Sequence, residues 1–172
     1  MKDALQAKAL EIMNDCQDLA IATLREDGFP QVTTVSFVHD GLEIFIGVGA
    51  DSQKAKNMRR DRRVSITMSP PYKDWSHIRG LSLAGYADPM TSDEEINDIA
   101  RLMLKRFPQI MKMELPEMGQ ALFFRITPTV ISVLDYAKGF GHADTVAVYD
   151  NDIAESLESM QHKWLIPVEP LA

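Results

Sequence analysis

The residues best suited to bind a charged ligand lie where a predicted strand turns into a predicted helix, in the run Gly47-Val48-Gly49-Ala50-Asp51-Ser52-Gln53-Lys54. Backbone N–H groups at the start of the helix, the Ser52 hydroxyl and the Lys54 ammonium could converge on one dianionic group. The alternative is an ordinary N-cap followed by a solvated cationic helix face, which the local sequence alone favours because such caps are common. The run lacks a Walker pattern, so a P-loop nucleotide site is excluded.

A second candidate is the glycine-rich loop Lys138-Gly139-Phe140-Gly141-His142-Ala143-Asp144, directly after a predicted strand. It combines two glycines, an aromatic ring and three ionisable groups. Binding residues are often found on loops, so this one could line a pocket. It could equally be a surface loop whose glycines serve the turn geometry, and the sequence leaves both interpretations open.

Other chemistries have little support. Metal sites need closely spaced ligands, and the four histidines show no paired spacing or neighbouring cysteine: His39, His77, His142 and His162. No serine has the Gly-x-Ser-x-Gly context of a hydrolase nucleophile. The single cysteine, Cys16, lies on the apolar stripe of a predicted helix and cannot form an internal disulfide, which is typical of a reducing compartment. We therefore expect no metal site and a cytoplasmic protein.

Composition limits the possible partners. A chain of 172 residues that is 45% hydrophobic can bury one core, so we expect a single domain over residues 1–172. The net charge of −7 argues against nucleic acid binding, although six of the 18 Lys and Arg residues lie between Ser52 and Arg63. No apolar stretch approaches the ~18 residues that would cross a bilayer. The charged amphipathic start at Met1-Lys2-Asp3-Ala4 is unlike a signal peptide, so neither membrane insertion nor export is expected.

The first fifty residues predict a helix and three hairpin-linked strands. Apolar residues at three- and four-residue intervals indicate a helix over roughly the first sixteen residues. Strands are predicted at 19–24, 31–38 and 42–48. Asp27-Gly28 and Asp40-Gly41 separate them and are typical hairpin turns, which indicates antiparallel pairing.

Downstream, strands again outnumber helices. A short basic helix should begin at Asp51 or Ser52, and a longer one should follow the Ser92–Glu95 capping box and end at Pro108. Strands are predicted at 64–68 and 78–87, where Gly85 suggests a bulge or a close approach. A loop carrying Tyr72 and Trp75 lies between them. Residues 121–126 and 130–134 form either a strand pair or one strand bent at Pro128, and a short helix is expected at 153–162. About six strands with peripheral helices predict a small β-barrel.

The segment Ser52-Gln53-Lys54-Ala55-Lys56-Asn57-Met58 resembles the Ser-x-Lys-x-x-Asn-Leu segment of the pyridoxamine phosphate oxidase-like flavoproteins. With the hairpin strands and Gly85, the resemblance extends over about 19–134. It implies a mainly β fold, a six-stranded antiparallel split β-barrel with peripheral α-helices. It also implies a homodimer with FMN at the subunit interface.

The resemblance also implies roles for particular residues. Ser52, Gln53 and Lys54 would hold the flavin phosphate, and Gly47 and Val48 would lie beside the ribityl chain and phosphate. The second strand would contact the isoalloxazine ring through Val32, Thr33, Thr34 and Val35. True pyridoxamine phosphate oxidases have an Arg-x-x-x-Leu-Lys pattern on that strand, whereas residues 31–36 read Gln-Val-Thr-Thr-Val-Ser. We therefore expect a family member that does not oxidise vitamin B6.

The function expected from this resemblance is an FMN-dependent oxidoreductase that transfers hydride or electrons to an unidentified small molecule. The flavin would carry the chemistry, so no catalytic side chain is predicted. Trp75 and the 138–144 loop of the second subunit could border the substrate. Two alternatives remain: a non-catalytic flavin-binding or redox-sensing module, and a haem or deazaflavin binder on the same barrel.

Overall fold

A computed structural model describes residues 2–112 and 120–161, with side chains as far as residue 154, as an antiparallel sheet flanked by helices. The three α-helices of this part are α1 (Lys2–Asp15), α2 (Gln53–Arg60) and α3 (Asp93–Arg106). Its strands are β1 (Asp18–Leu24), β2 (Pro30–Ser36), β3 (Val38–Asp40), β4 (Glu43–Gly49), β5 (Arg63–Met68), β6 (Arg79–Pro89), β7 (Ala121–Asp135), β8 (His142–Tyr149) and β9 (Asp152–Gln161).

The sheet curls into a half-barrel around the long strand β7. Its main path runs β2-β1-β5-β6-β7-β4-β3, and β2 approaches β4 to bend the path back on itself. One edge of β7 pairs with β6, while the other pairs first with β4 and then with β8. The antiparallel β-barrel class with peripheral helices is confirmed. The described part has nine strands where six were expected.

Gly41 fixes the turn between β3 and β4 against the far end of the chain. Its φ of 54° lies in the left-handed region that favours glycine. A Cβ at this position would come within 2.5 Å of Asn151, which occupies the β8–β9 turn. The Asn151 side-chain oxygen accepts the N–H groups of Leu42 and Glu43, so the two turns are held together.

The bulge predicted at Gly85 is present. The β6–β7 register shifts between Ala84 and Gly85, and Gly85 lies opposite Pro128. A Cβ on Gly85 would be 2.5 Å from the Thr127 carbonyl oxygen, so only glycine fits here. Since Pro128 falls at this bulge, β7 continues through it as one strand, the second of the two alternatives considered for this region.

The helix predicted over 153–162 is wrong, because residues 152–161 form β9 and pair with β8 along its length. Without this partner, β8 would expose a row of unpaired N–H and C=O groups, and the edge pairing overrides the local pattern. His162 lies outside the described residues. The strand predicted over 31–38 divides into β2 and β3 at Phe37, whose side chain is fully buried in the core.

Two apolar clusters hold the elements in place. In the larger one, α1 packs on the barrel through Leu5, Ala9, Ile12 and Met13. In the smaller one, α3 covers the outside of β3 and β4 through residues that are all buried: Ile99, Met103 and Phe107 against Val38, Phe45 and Met90. Each fully buried side chain of this kind contributes about 1.5–3 kcal/mol. The smaller cluster holds α3 beside the carboxyl end of β4.

Candidate functional site

A cavity of about 540 Å³ opens between the end of β4, the first turn of α2 and the side of α3. Its size lies within the ~300–1,000 Å³ typical of small-molecule sites. We call it the α2 cavity. Its lining is mainly apolar: Val35, Ser36, Gly47, Val48, Gly49, Lys54, Ala100, Met103, Leu104, Ile110, Ala121 and Phe123.

Glycines at the end of β4 keep the α2 cavity open. The Phe123 ring lies across the outer face of Gly47, where a Cβ would be 3.2 Å from its Cε1 atom. At Gly49 a Cβ would meet no atom within 4 Å, so this position leaves free space. The cavity therefore has one wall from α3, through Met103 and Leu104, and open space beside Gly49, which contributes no side chain.

The first turn of α2 presents unsatisfied donors next to this space. Ser52 is the predicted N-cap, and its hydroxyl oxygen accepts the Ala55 N–H at 3.3 Å. Within the described residues, the backbone N–H groups of Gln53 and Lys54 have no acceptor, as is usual for the first turn of a helix. The Lys54 side chain lines the cavity, and no carboxylate of residues 2–112 and 120–154 forms an ion pair with it.

Most other cations of the basic segment are engaged within the protein. Arg63 forms two hydrogen bonds to Asp61, at 2.9 and 2.6 Å, and these lower the pKa of that carboxyl to about 2. Arg62 lies 3.1 Å from Asp88. Arg60 donates to the Leu24 carbonyl at 2.6 Å. Lys54 differs from these arginines in facing a cavity without such a partner.

Asn57 belongs to the family segment, but sequence analysis assigned it no role; in the structure it fastens α2 to the sheet. It is 1% exposed. Its Nδ2 donates to Thr23 Oγ1 at 3.0 Å and to Gln31 Oε1 at 3.1 Å, and its Oδ1 accepts from Gln53 Nε2 at 2.9 Å. The four-residue spacing of Gln53 and Asn57, which puts both amides on one helix face, was the available signal.

The structure brings only part of the predicted site together. Of the nine residues, four line the α2 cavity: Val35, Gly47, Val48 and Lys54. Ser52 caps its helix, and Gln53 points to Asn57. Successive residues of a strand face opposite sides, so Val32 and Thr34 lie exposed on the outer face of β2 while Thr33 and Val35 face inward. The assignment of all nine residues to FMN stays a prediction.

Thr33 carries a further polar group, on the same face of β2 as the cavity-lining Val35. Its Oγ1 atom is buried and has no hydrogen-bond partner among the described residues. A buried hydroxyl without a partner is unfavourable by about 1–3 kcal/mol. Ser36, at the end of β2, lines the cavity and donates to Asp18 at 2.6 Å.

The 138–144 loop lies at the opposite end of β7 from the α2 cavity. Lys138 Nζ is 2.6 Å from the Asp144 carboxylate, and His142 Nε2 is 3.2 Å from it. Burial raises the pKa of Asp144, but the hydrogen bond from Lys138 and the adjacent His142 ring lower it more, and the pKa lies below its ordinary value. The loop therefore does not line the cavity of its own chain, and Phe140 stacks on Trp75 instead.

The described residues offer no metal cluster, no membrane-spanning helix and no activated thiol. Among the described residues, no group of three or more His, Cys, Asp or Glu side chains could hold a metal ion. No helix in the described ranges is long and apolar enough to cross a bilayer. Burial raises the pKa of the Cys16 thiol, which disfavours the reactive thiolate. The cytoplasmic location stays a prediction.

Residues 5–135 match the family model described as pyridoxamine 5'-phosphate oxidase. The chain belongs to this family, as the Ser-x-Lys-x-x-Asn segment predicted. No curated protein matches the chain.

Solved structures share the fold. A Listeria innocua protein named as a candidate pyridoxamine 5'-phosphate oxidase is 22% identical, with 76% of this chain and 98% of that one covered and a TM-score of 0.62. The haem storage protein HutZ of Vibrio cholerae is 23% identical, with coverages of 72% and 89% and a TM-score of 0.62. A haem binding protein from Mycobacterium smegmatis is 19% identical with a TM-score of 0.69; 83% of this chain covers 57% of that protein's length.

Proposed function

We propose that the α2 cavity binds FMN and that the protein passes hydride or electrons between this flavin and a small molecule. The observation that carries the proposal is a single cavity that has phosphate-binding groups on one side and apolar side chains on another. Lys54 and the free N–H groups of the α2 first turn lie at one side, and the apolar side of α3 lies at another. FMN has the matching parts, a dianionic phosphate and a planar ring. When bound, the flavin supplies the redox chemistry.

The chain's own residues would bind and orient this group. Lys54 would neutralise the phosphate, and the N–H groups of Gln53 and Lys54 would donate charge-assisted hydrogen bonds to it. Met103 and Leu104 on α3 would exclude water from the ring. The Thr33 hydroxyl has no partner among the described residues and lies on the same face of β2 as the cavity-lining Val35, so it would be a donor to the ring edge.

Haem is the second candidate, because two structural neighbours are named for haem. Haem iron is usually held by His, Cys, Met or Tyr. Among the described lining residues, Met103 alone carries such a donor atom, and its side chain packs into the smaller apolar cluster. By contrast, the Lys54 ammonium and the backbone N–H groups of Gln53 and Lys54 could all bind a phosphate. The cavity therefore favours FMN.

The outer face of the sheet supports a homodimer. Residues directly opposite one another across β2, β1, β5, β6, β7 and β8 form two rows. The first is Thr34, Ala20, Thr67, Ser82, Ser132 and Thr145; the second is Val32, Ala22, Ser65, Ala84, Val130 and Ala147. No member is buried or charged, although 25% of the chain is charged and about three charges would be expected among twelve residues.

We propose that this uncharged face packs on the same face of a second copy. A self-complementary patch is what a two-fold dimer requires, and charge depletion is typical of interface cores. Ala84→Arg should then convert a dimer into a monomer in sedimentation velocity, while Ala7→Arg on the exposed side of α1 should not. A wild-type monomer at micromolar concentration would rule the dimer out.

FMN binding is tested by fluorescence titration of the full chain. Wild type should bind FMN, Lys54→Ala should bind it at least about tenfold more weakly, and Lys56→Ala, which changes an exposed lysine of the same helix outside the cavity, should bind it like wild type. Absence of binding by wild type would refute the proposal. A Soret band shifted and sharpened relative to that of free haem, and returning to the free-haem position in Met103→Leu, would favour the haem alternative.

Catalysis is tested separately on the loaded protein. Anaerobic reduction of the bound flavin by NADH or NADPH, followed by reoxidation by an added acceptor, would support an oxidoreductase. If the bound flavin is reduced by neither donor, the flavin-binding or redox-sensing alternative is favoured instead.

A further inference from the structure

Two exposed aromatic rings stack at the end of β7 remote from the α2 cavity. The ring centroids of Trp75 and Phe140 are 5.9 Å apart with an interplanar angle of 19°, and Tyr136 meets Phe140 at 5.2 Å. Trp75 is 64% exposed and Phe140 56% exposed. With one face on Phe140, the indole of Trp75 has its other face open to solvent. We call Trp75, Tyr136 and Phe140 the aromatic platform.

The platform is held rigidly although it lies on two loops. Asp74 accepts hydrogen bonds from the Ser76 N–H at 3.0 Å and from His77 Nδ1 at 2.8 Å, which fixes the turn carrying Trp75. The second loop is joined to the first by the Tyr136 N–H, which donates to the Ile78 carbonyl at 3.0 Å. A preformed surface of this kind loses little conformational entropy when it binds a ligand.

A cavity of about 510 Å³ lies next to the platform, since Ser76 and Ala137, which follow Trp75 and Tyr136 in the chain, line it. Lys8, Lys73 and Arg79 line it together with two carboxylates, Glu11 and Asp135. Lys8 pairs with Asp135, and Arg79 pairs with Glu11 and with Asp15 outside the lining. Lys73 forms no ion pair with the described carboxylates, in a chain whose net charge is −7.

We propose that the platform and this cavity bind a planar aromatic carboxylate, with its ring on Trp75 and its anionic group at Lys73. The open indole face supplies a stacking surface for any flat π-system. The unpaired Lys73 ammonium supplies a positive charge to pair with the single negative charge of the carboxylate. This site uses no residue of the α2 cavity, and it stands whether or not the chain binds FMN.

Calorimetric titration of the full chain without FMN tests the proposal, with 2-naphthoate as the probe. Two analogues separate its parts: 2-naphthamide keeps the flat ring without the charge, and decahydro-2-naphthoate keeps the charge without the flat ring. Wild type should bind 2-naphthoate most tightly. Trp75→Leu and Phe140→Leu should each weaken it, the former by about tenfold or more. Lys73→Gln should remove the preference for 2-naphthoate over 2-naphthamide.

Matched controls are available on the same chain. Tyr149→Leu removes a 70% exposed aromatic ring from the end of β8, and Lys105→Gln removes an exposed cation from α3. Both should bind the probe like wild type. The proposal is overturned if wild type fails to bind 2-naphthoate at millimolar concentration, or if Trp75→Leu binds it normally. It is also overturned if Trp75→Leu changes the oligomeric state in sedimentation velocity, because the platform would then be a contact between copies.

Discussion

The paired cations on and beside α1, at one end of this molecule, and Lys54 at the first turn of α2, at the other, are in opposite situations. Under α1, Lys8 pairs with Asp135, and Arg79 pairs with Glu11 and Asp15. At the first turn of α2, Lys54 faces a cavity and has no carboxylate partner among the described residues. A cation paired within the chain stabilises the fold. A cation left beside a cavity is available to a ligand.

The pKa of Asp135 shows how strongly Lys8 stabilises the charged form of this carboxyl. Burial raises the pKa of this carboxyl, but the hydrogen bond and charge of Lys8 and the N–H of Ala137 lower it more, and the result lies below the ordinary value. Asp135 is therefore charged although only 5% exposed. Substitutions under α1 should thus change the free energy of unfolding, and substitutions at α2 should change ligand affinity.

The largest effect is expected for Lys8→Ala. It leaves the buried Asp135 carboxylate without its cation and should lower the free energy of unfolding by about 3 kcal/mol, measured by urea denaturation at pH 7. FMN affinity should not change. Because the folded pKa of Asp135 is depressed, the pair stabilises the protein above pH ~4 and its contribution is lost as the pH falls further. The deficit of Lys8→Ala should therefore shrink in acid.

A double variant checks this assignment. Lys8→Ala combined with Asp135→Asn removes the unpaired charge and should recover part of the lost stability. If Lys8→Ala unfolds at the same urea concentration as wild type, Lys8 contributes no more to the stability of the fold than Lys54 does.

Asn57→Ala should give the next largest effect and should lower both the free energy of unfolding and the affinity for FMN. It leaves Thr23 and Gln31 without their amide donor in a buried position, which should lower the free energy of unfolding by about 2 kcal/mol. Because α2 then loses its anchor on the sheet, FMN should also bind more weakly. Gln53→Ala removes an exposed side chain from the same network and should cost less. Unchanged FMN affinity in Asn57→Ala would show that Asn57 does not position the first turn.

Asn57 also shows what the sequence could not reveal. The Ser52–Met58 pattern identified the family, the N-cap and the cavity-facing Lys54, since all three depend on local spacing. The partners of Asn57 are Thr23 and Gln31, which lie 34 and 26 residues away in the chain. Only the pairing of β1 with β2 brings them together.

The turns and the last strand give the same lesson. Gly28 and Gly41 adopt positive φ values of 81° and 54°, as expected from their Asp-Gly pairs. The 153–162 segment has no such local signal, and its pairing with β8 decides that it is a strand. The bulge at Gly85 could be predicted from glycine in a strand, but its partner Pro128 could not.

Lys54→Ala should show the reverse of Lys8→Ala. FMN affinity should fall about tenfold, equivalent to about 1.4 kcal/mol, because one charge-assisted contact to the phosphate is lost. The free energy of unfolding without FMN should not fall, since Lys54 has no partner to lose among the described residues. The FMN affinity of wild type should also decrease as salt is added, and the FMN affinity of Lys54→Ala should decrease less. A loss of stability in apo Lys54→Ala would show that this lysine is structural after all.

The smallest effect is expected for Arg63→Ala, at an exposed pair close to α2. Hydrogen bonds from the Arg63 side chain and backbone N–H hold the pKa of Asp61 at about 2. Removing the guanidinium should let that pKa rise toward ~3.9, as measured by NMR titration of the Asp61 carboxyl. The pair favours the folded state only above the ordinary pKa of Asp61, and this contribution is lost as the pH falls toward 2. Because the Arg63 side chain is 68% exposed and solvent screens the pair, thermal unfolding at pH 7 should hardly change. A substantial loss of stability in this variant would mean that exposed pairs stabilise this fold as the buried Lys8–Asp135 pair does, and the contrast between the two ends would fail.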